Sequence, residues 1–359
     1  MPRSKARPNR RVDTSTLTVR LWEFTGSSML NLFIWIAVVV YLSPLTYMLV
    51  TSLKTADQMR DAKAPLLPSQ AATYNYNGKS LLVYNVPTST GTKQLALEDP
   101  HVKYSMFVDP ANPQAGLIRW DGFWGSLTLV YHPHVTLANF ITLWTTVKYT
   151  NLLKNTMIVI GLGEIGILCS SIMVAYGFAR FHVPGGKFLF FLLIATIMIP
   201  DSIILVPTFV IFGRVLHWTG TLYPLIVPQF FGSAIYIFLL RQNFRTIPRD
   251  LDEAAMLDGA GPLRTLVSVI LPQAIPTLVT VALLHFFNAW NEMKMASLYL
   301  GTRPDLQTIA FSAQRYQTYG FTPEVLQAGA VLLMVIPLIV LFLAQRYFMS
   351  DMVIASVEK

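Results

Sequence analysis

Six stretches of this chain, near 29–51, 154–177, 188–211, 223–240, 273–291 and 326–345, are each long and apolar enough to cross a lipid bilayer. A helix needs about 20 apolar residues to span a hydrocarbon core roughly 30 Å thick, and lipid offers an unpaired backbone no water. Membrane helices are therefore the structure these stretches dictate. Composition agrees, with 53% of the 359 residues hydrophobic and 13% charged, where an ordinary soluble domain has about 25% charged.

The basic start MPRSKARPNRR is followed by polar sequence, and the first apolar run begins near Met29 and reaches full spanning length. Span one is thus expected to be an uncleaved anchor. The lone Cys169 lies in a predicted span and excludes an intrachain disulfide. Lysine and arginine near span ends stay on the cytoplasmic side. With the N-terminus inside, the tail and the loops 178–187, 241–272 and 346–359 hold fourteen such residues, against four in the short loops opposite. Both termini are expected in the cytoplasm. The formal charge of +8 then fixes topology and touches anionic lipid, with no need of a nucleic acid.

Between spans one and two, turn formers (PTSTGTK, EDPH, DPANPQAG) separate the alternating runs SLLVYNV, VKYSMFV and GLIRW. This is the pattern of short strands, and it predicts a small β-rich module over 70–132. An amphipathic lead-in helix is expected in TLANFITLWTTVKYTNLLKNT before span two. The organisation expected is a basic tail 1–28, a first membrane helix 29–53, an insertion 54–138, a core 139–345 containing five more membrane helices and the loop 241–272, and a tail 346–359. The loop 292–325 is read as a surface turn with a short helix, with a gate or docking loop as the alternative.

The segment EAAMLDGAGPLRTLVSVILP, 253–272, interrupts two apolar spans with charge and glycine. Pro248 suits a first helical turn, and Asp250 and Asp252 sit where the helix dipole favours negative charge. This first helix is expected to carry Leu251, Ala254 and Ala255 on one face and to end at Gly259 and Gly261. Pro262 opens a second helix with Leu263, Leu266, Val267, Ile270 and Leu271 as one apolar stripe. Small alanines leave room for a partner, and Glu253 and Asp258 offer charge to it; a purely structural interfacial hairpin is the alternative.

This segment resembles the EAA motif of importer-type ABC transporter permeases. SPLTYMLVTSLK, YGFARF, MIPDSIILVP, IPRDLDEAAMLDGAG and AWNE extend the resemblance to the carbohydrate-uptake permeases similar to the second membrane subunit of the maltose transporter. It covers all but the basic tail and 55–138. The resemblance implies an all-α integral membrane protein of six transmembrane helices, the type I importer permease fold, with a β-rich extracytoplasmic insertion between helices 1 and 2. It implies a non-enzymatic subunit in the cytoplasmic (inner) membrane, most often one half of a heterodimer with a second permease. An extracytoplasmic sugar-binding protein would deliver carbohydrate, and two ATP-binding cassette subunits would hydrolyse ATP with Mg. Glu253, Ala254, Ala255, Leu257, Asp258 and Gly259 would form the coupling contact with those ATPases. The chain itself has no phosphate-cradling loop, since VPGGKF lacks the first glycine and the hydroxyl residue, so no cofactor is expected on it. The sequence departs from the family in its glycine-free end FMSDMVIASVEK and in its long first outer segment.

Charged residues at membrane depth face a partner or a watery path. Glu164, Asp201 and His285 are such residues, and Asn288, Trp290, Asn291 and Glu292 offer amides, a carboxylate and an aromatic face to a sugar. The alternative is that these groups bond to each other or cap helices. His132 and His134 lack a cysteine or a third ligand nearby, and Trp120, Trp124 and YNYN at 74–77 either bind sugar or pack a β core. Two other functions stay open on the residues alone: a secondary transporter using Glu164 for protons, and a membrane glycosyl transferase using Glu164 and Asp201.

Overall fold

The computed structural model describes residues 14–89 and 91–357, with side chains described over 28–347 except at 90 and 201. The chain opens with α1 (Thr14–Ser52), whose outer surface from Met29 onward is apolar and bare, and which lies along the last helix of the chain. A short α2 (Ala56–Arg60) follows, started by Thr55, whose hydroxyl accepts from the Gln58 N–H.

Eight strands then run from Ser69 to Pro133: β1 (Ser69–Ala71), β2 (Thr73–Tyr76), β3 (Lys79–Thr88), β4 (Gly91–Pro100), β5 (Tyr104–Val108), β6 (Leu117–Asp121), β7 (Thr128–Leu129) and β8 (Tyr131–Pro133). The antiparallel order is β2-β3-β4-β5-β6 with β7 also on β3, and β1 and β8 pair separately. Alternation along β3 sends Leu81 and Val83 to one cluster with Ala96 and Val130, and Tyr84 and Val86 to another with Leu95 and Phe107. Both faces of the sheet are therefore buried, which explains the aromatics: Trp120 and Trp124 meet Phe107 and Tyr84 edge to face.

The module is tied down by buried amides. Gln58 donates to the carbonyls of Pro65 and Leu67 and accepts from the Ser69 N–H. Tyr131 donates to Asp61 at 2.9 Å; burial, then that carboxylate, push its phenol far above the ordinary range, so it stays a donor. Asn139, 7% exposed, donates at 2.8 Å to the carbonyls of both Ser52 and Lys54. Asn139→Ala strands both carbonyls and is expected to lower stability by about 2 kcal/mol, read as faster proteolysis between α2 and β1 in the otherwise folded chain.

The expected lead-in helix is α3 (Ala138–Thr146), set off from α4 (Tyr149–Arg180) by Lys148 in the left-handed region. The 32-residue α4 is the central rod of the bundle. Span three is not one helix. It breaks at Pro200, which cannot continue the hydrogen-bond ladder, into α5 (Gly186–Thr196) and α6 (Asp201–Phe209), extended by a π turn over Val210–Val215. Span four likewise consists of α7 (Tyr223–Ile226), a 3₁₀ turn over Val227–Phe231, a break at Gly232 with φ of 78°, and α8 (Ala234–Thr246). Gly166 of α4 lets this turn approach, since a Cβ there would lie 2.6 Å from the Phe230 ring.

A hairpin follows: α9 (Asp250–Leu257), α10 (Pro262–Thr265), a π turn Leu266–Ile270 and α11 (Leu271–Gln273). The hairpin's second arm meets α12 (Ile275–Trp290) at 84°. The segment beyond is more structured than the expected turn with a short helix. It holds α13 (Lys294–Leu300), α14 (Ile309–Gln314) and two 3₁₀ turns, and Asn155 of α4 grips it by donating to the Asp305 and Gln307 carbonyls. The chain closes with α15 (Pro323–Val357), packed on α1, α3 and α12. Among the described residues, four helices qualify as spans by length and composition, or five with the bent pair at Ala274 counted as one.

Candidate functional site

The hairpin 250–273 is where the most exposed apolar side chains meet the tightest anchoring. Asp250, Asp252 and Glu253 occupy the first turn of α9, where the dipole favours them. The helix is closed by a Schellman motif: Gly259 N–H donates to Met256 and Ala260 N–H to Ala255. Gly259 has φ of 76°, while nothing lies within 4 Å of a Cβ built there, so conformation alone demands glycine. Gly261 plays a different part from the one expected, as the extended residue that starts α10.

Of the residues assigned to the coupling contact, Glu253, Ala254, Leu257, Asp258 and Gly259 are exposed, Leu257 at 90% and its neighbour Met256 at 63%. Ala255 is not on that surface. It is buried at 8%, on the inward face with Asp252, because the two are separated by one helical turn. The apolar stripe of the second arm also differs from the one expected. The π turn brings Thr265, Leu266, Ile270 and Ala274 inward and leaves Leu263 and Val267 more than 60% exposed.

Asp252, read from sequence as a helix-start charge, faces Arg180 at the end of α4 at 3.0 Å, both side chains nearly inaccessible. The signal in the sequence was its i, i+3 relation to a small buried Ala255 together with the arginine of YGFARF.

Among the groups at membrane depth, Glu164 of α4 and His285 of α12 meet at 2.7 Å between Oε2 and Nδ1, with Tyr236 edge-on to the imidazole. Gly163 makes space for this ring, which would lie 3.3 Å from a Cβ there. The second carboxylate oxygen of Glu164 is buried without a hydrogen-bond partner. Asp201, between Pro200 and Pro207 in the third apolar stretch, opens α6 directly after the Pro200 break; its side chain lies outside the described residues. Trp290 is 4% exposed and stacks on Phe286, and Glu292 accepts from the Met295 N–H at the start of α13. Asn288 and Asn291 are exposed, and Asn291 borders a groove of about 500 Å³ between α12, α14 and α15 with Phe287, Met334 and Pro337. His132 lies in β8, and among the described residues no cluster of three or more metal-ligating side chains forms.

A helical membrane bundle that buries a paired carboxylate and imidazole at depth, and presents one anchored hairpin with an exposed apolar tip, has the build of a transport subunit driven from outside itself. Comparison with known proteins gives the family. Residues 166–353 match the model described as the binding-protein-dependent transport system inner membrane component, and the chain belongs to that family. It is similar to the osmoprotective compounds uptake permease protein GgtD of Synechocystis sp., with 26% identity over 301 residues, 80% of this chain and 96% of that one. It is also similar to the arabinooligosaccharides transport system permease protein AraQ of Halalkalibacterium halodurans, 30% identical over 65% of this chain and 83% of that one. MelC of Bacillus subtilis, a melibiose/raffinose/stachyose import permease protein, is 28% identical over 64% of this chain and 83% of its own. Among solved structures, a bacterial ABC transporter that imports the acidic polysaccharide alginate has a chain matching at a TM-score of 0.62 and 17% identity, covering 96% of this chain and all of that one. The shared fold is that of type I ABC importer permeases. The chain is therefore an inner membrane permease component and not an enzyme.

Proposed function

We propose that the chain is one of two permeases in an ATP-driven importer of carbohydrate, moving its substrate by alternating access. The observation that carries this reading is the hairpin: Leu257 projects at 90% exposure from a helix whose other face is buried against the bundle. An exposed leucine on an anchored support fits a cleft on a partner. Glu253, Ala254, Leu257 and Asp258 form the contact with a cytoplasmic ATPase, and Gly259 sets the turn behind them. ATP and Mg belong to that ATPase. The names of the relatives AraQ and MelC support oligosaccharide as the substrate class.

In this reading the chain spans the membrane six times, the broken α5–α6 segment supplying the third span and α7–α8 the fourth, with both termini in the cytoplasm. The β-rich module then lies outside, between the first and second spans, toward an extracytoplasmic binding protein. Asn288 and Asn291 are the path residues, and Glu164 holds the adjoining helix through His285. The domain limits remain those expected above, and a heterodimer is the assembly.

Purification of the tagged chain from native membrane, with mass spectrometry of its companions, tests the reading. An ATP-binding subunit and a second permease are expected; recovery of the chain alone in every detergent overturns it. A second result is expected from replacing 69–133 by a short linker. The flanking residues already meet, His134 N–H donating to the Pro68 carbonyl at 3.2 Å, so ATPase recovery should persist while binding-protein-dependent uptake falls. Unchanged uptake would remove the module from transport.

A further inference from the structure

Four separate contacts fasten the hairpin and the residues just ahead of it to the last two turns of α4. Arg180 forms the buried ion pair with Asp252 of the hairpin's first helix at 3.0 Å. Its guanidinium also donates at 3.0 Å to the carbonyl of Ile247, just ahead of that helix. One turn earlier, the Tyr176 hydroxyl donates at 3.2 Å to the carbonyl of Pro262, at the start of the hairpin's second arm. Leu266 and Ile270 of that arm complete the attachment by packing in one buried cluster with Ala175, Tyr176 and Ala179. Both arms are held, one by charge and one by a phenol, on either side of the Gly259 turn.

The covalent route out of the hairpin is weaker mechanically. It passes into α12 through an 84° bend at Ala274, where the chain has no continuous helical ladder. By contrast α4 runs unbroken for 32 residues, about 48 Å at the helical rise. Its far end holds the segment after α13: Asn155 donates to the Asp305 and Gln307 carbonyls, and the Thr156 hydroxyl accepts from the Ile309 N–H. At its middle it holds α12 through Glu164 and His285.

We propose that the Arg180–Asp252 pair clamps the hairpin to α4, making α4 the lever through which the ATPases move the bundle. Arg180 and Asp252 are positioning residues here and touch no substrate. The proposal rests on the reading of the hairpin as the ATPase contact. A buried pair of this kind is poor at adding stability, because desolvation offsets most of the attraction, but breaking it from one side leaves a charge that drives the elements apart. Its value lies in holding two elements in one geometry.

The test is distance measurement by pulsed electron spin resonance on the whole transporter, purified through a tag on this chain, in a Cys169→Ser background. Spin labels at His182→Cys and Ser268→Cys, both exposed, report hairpin against α4; a third at Lys93→Cys on β4 pairs with Ser268→Cys as a long reference. ATP with vanadate is the only added ligand. The clamp predicts a 182–268 distance that changes by less than about 2 Å, the scale of small helix shifts at interfaces, while 93–268 changes by more. Arg180→Met should broaden the 182–268 distribution with the ATPases still bound, and Arg180→Lys, which keeps the charge, serves if Arg180→Met does not accumulate. Equal changes in both distances, or an unaltered distribution in both Arg180 variants, overturn the clamp and leave ATPase docking standing. Absence of ATPases from the preparation, or no movement at any pair, overturns docking and the clamp together.

Discussion

Leu257→Asp, alone or combined with Glu253→Arg, is expected to abolish recovery of the ATPase with the purified permease while leaving the permease in the membrane at its normal level. Leu257 is 90% exposed, so the charged residue disturbs nothing within the chain, and exposed substitutions of this sort change folding stability by about 0.5 kcal/mol or less. In a complex the same position would bury a carboxylate without a partner. Anchors at the centre of an interface commonly lose 2 kcal/mol or more on truncation, and ~1.4 kcal/mol is a tenfold change in affinity. Recovery should therefore fall at least about tenfold, with charge reversal at Glu253 adding repulsion where attraction stood. Undiminished recovery of the ATPase with the doubly substituted chain would remove the hairpin from the interface. Ala255→Asp is not an equivalent test, because Ala255 is buried beside Asp252 and its failure would report misfolding.

Removing His285 from its pair should produce the largest loss of stability in the bundle. Its imidazole is 5% exposed and 2.7 Å from Glu164. His285→Leu leaves a carboxylate at membrane depth with neither oxygen bonded, since the other has no partner already. Loss of one member of a buried pair costs about 3–5 kcal/mol, whereas replacing both with apolar groups is often neutral. The expected order of melting temperature in detergent is therefore wild type and Glu164→Leu/His285→Leu together at the top, with each single variant well below. A double variant whose loss equals the sum of the two single losses would mean that the two side chains act independently and that the short contact carries no coupling.

Legibility of the chain follows the physics of each part. Apolar length located the helices that are one piece, α1, α4 and α15, because hydropathy is a local property. It did not locate the breaks at Pro200 and Gly232, where a continuous apolar run hides a change of backbone direction. Period-two alternation marked β3, β5 and β6, but β4 was lost inside turn formers: PTSTGTK reads as a loop, although its last three residues open β4, whose residues 91–96 pair with β3. In the hairpin, the turn at Gly259 was legible from chemistry that only glycine serves. The inward face was not. A π turn shifts the helical period by one residue, and no pattern based on 3.6 residues per turn separates Leu263 from Leu266. The pairing of Glu164 with His285 joins positions far apart in the chain, and sequence offered it only as the alternative to a path role.

The β1–β8 pair also bears on how the molecule is built. Strand pairing sets Ser69 against Pro133, and Asn139 then bridges to the carbonyls at the end of α1. The start of α3 thus sits beside the end of α1, although more than sixty residues of the module lie between them in the chain. The insertion therefore leaves and rejoins the helical bundle at a single point, so its length adds nothing to the separation of the helices that it connects.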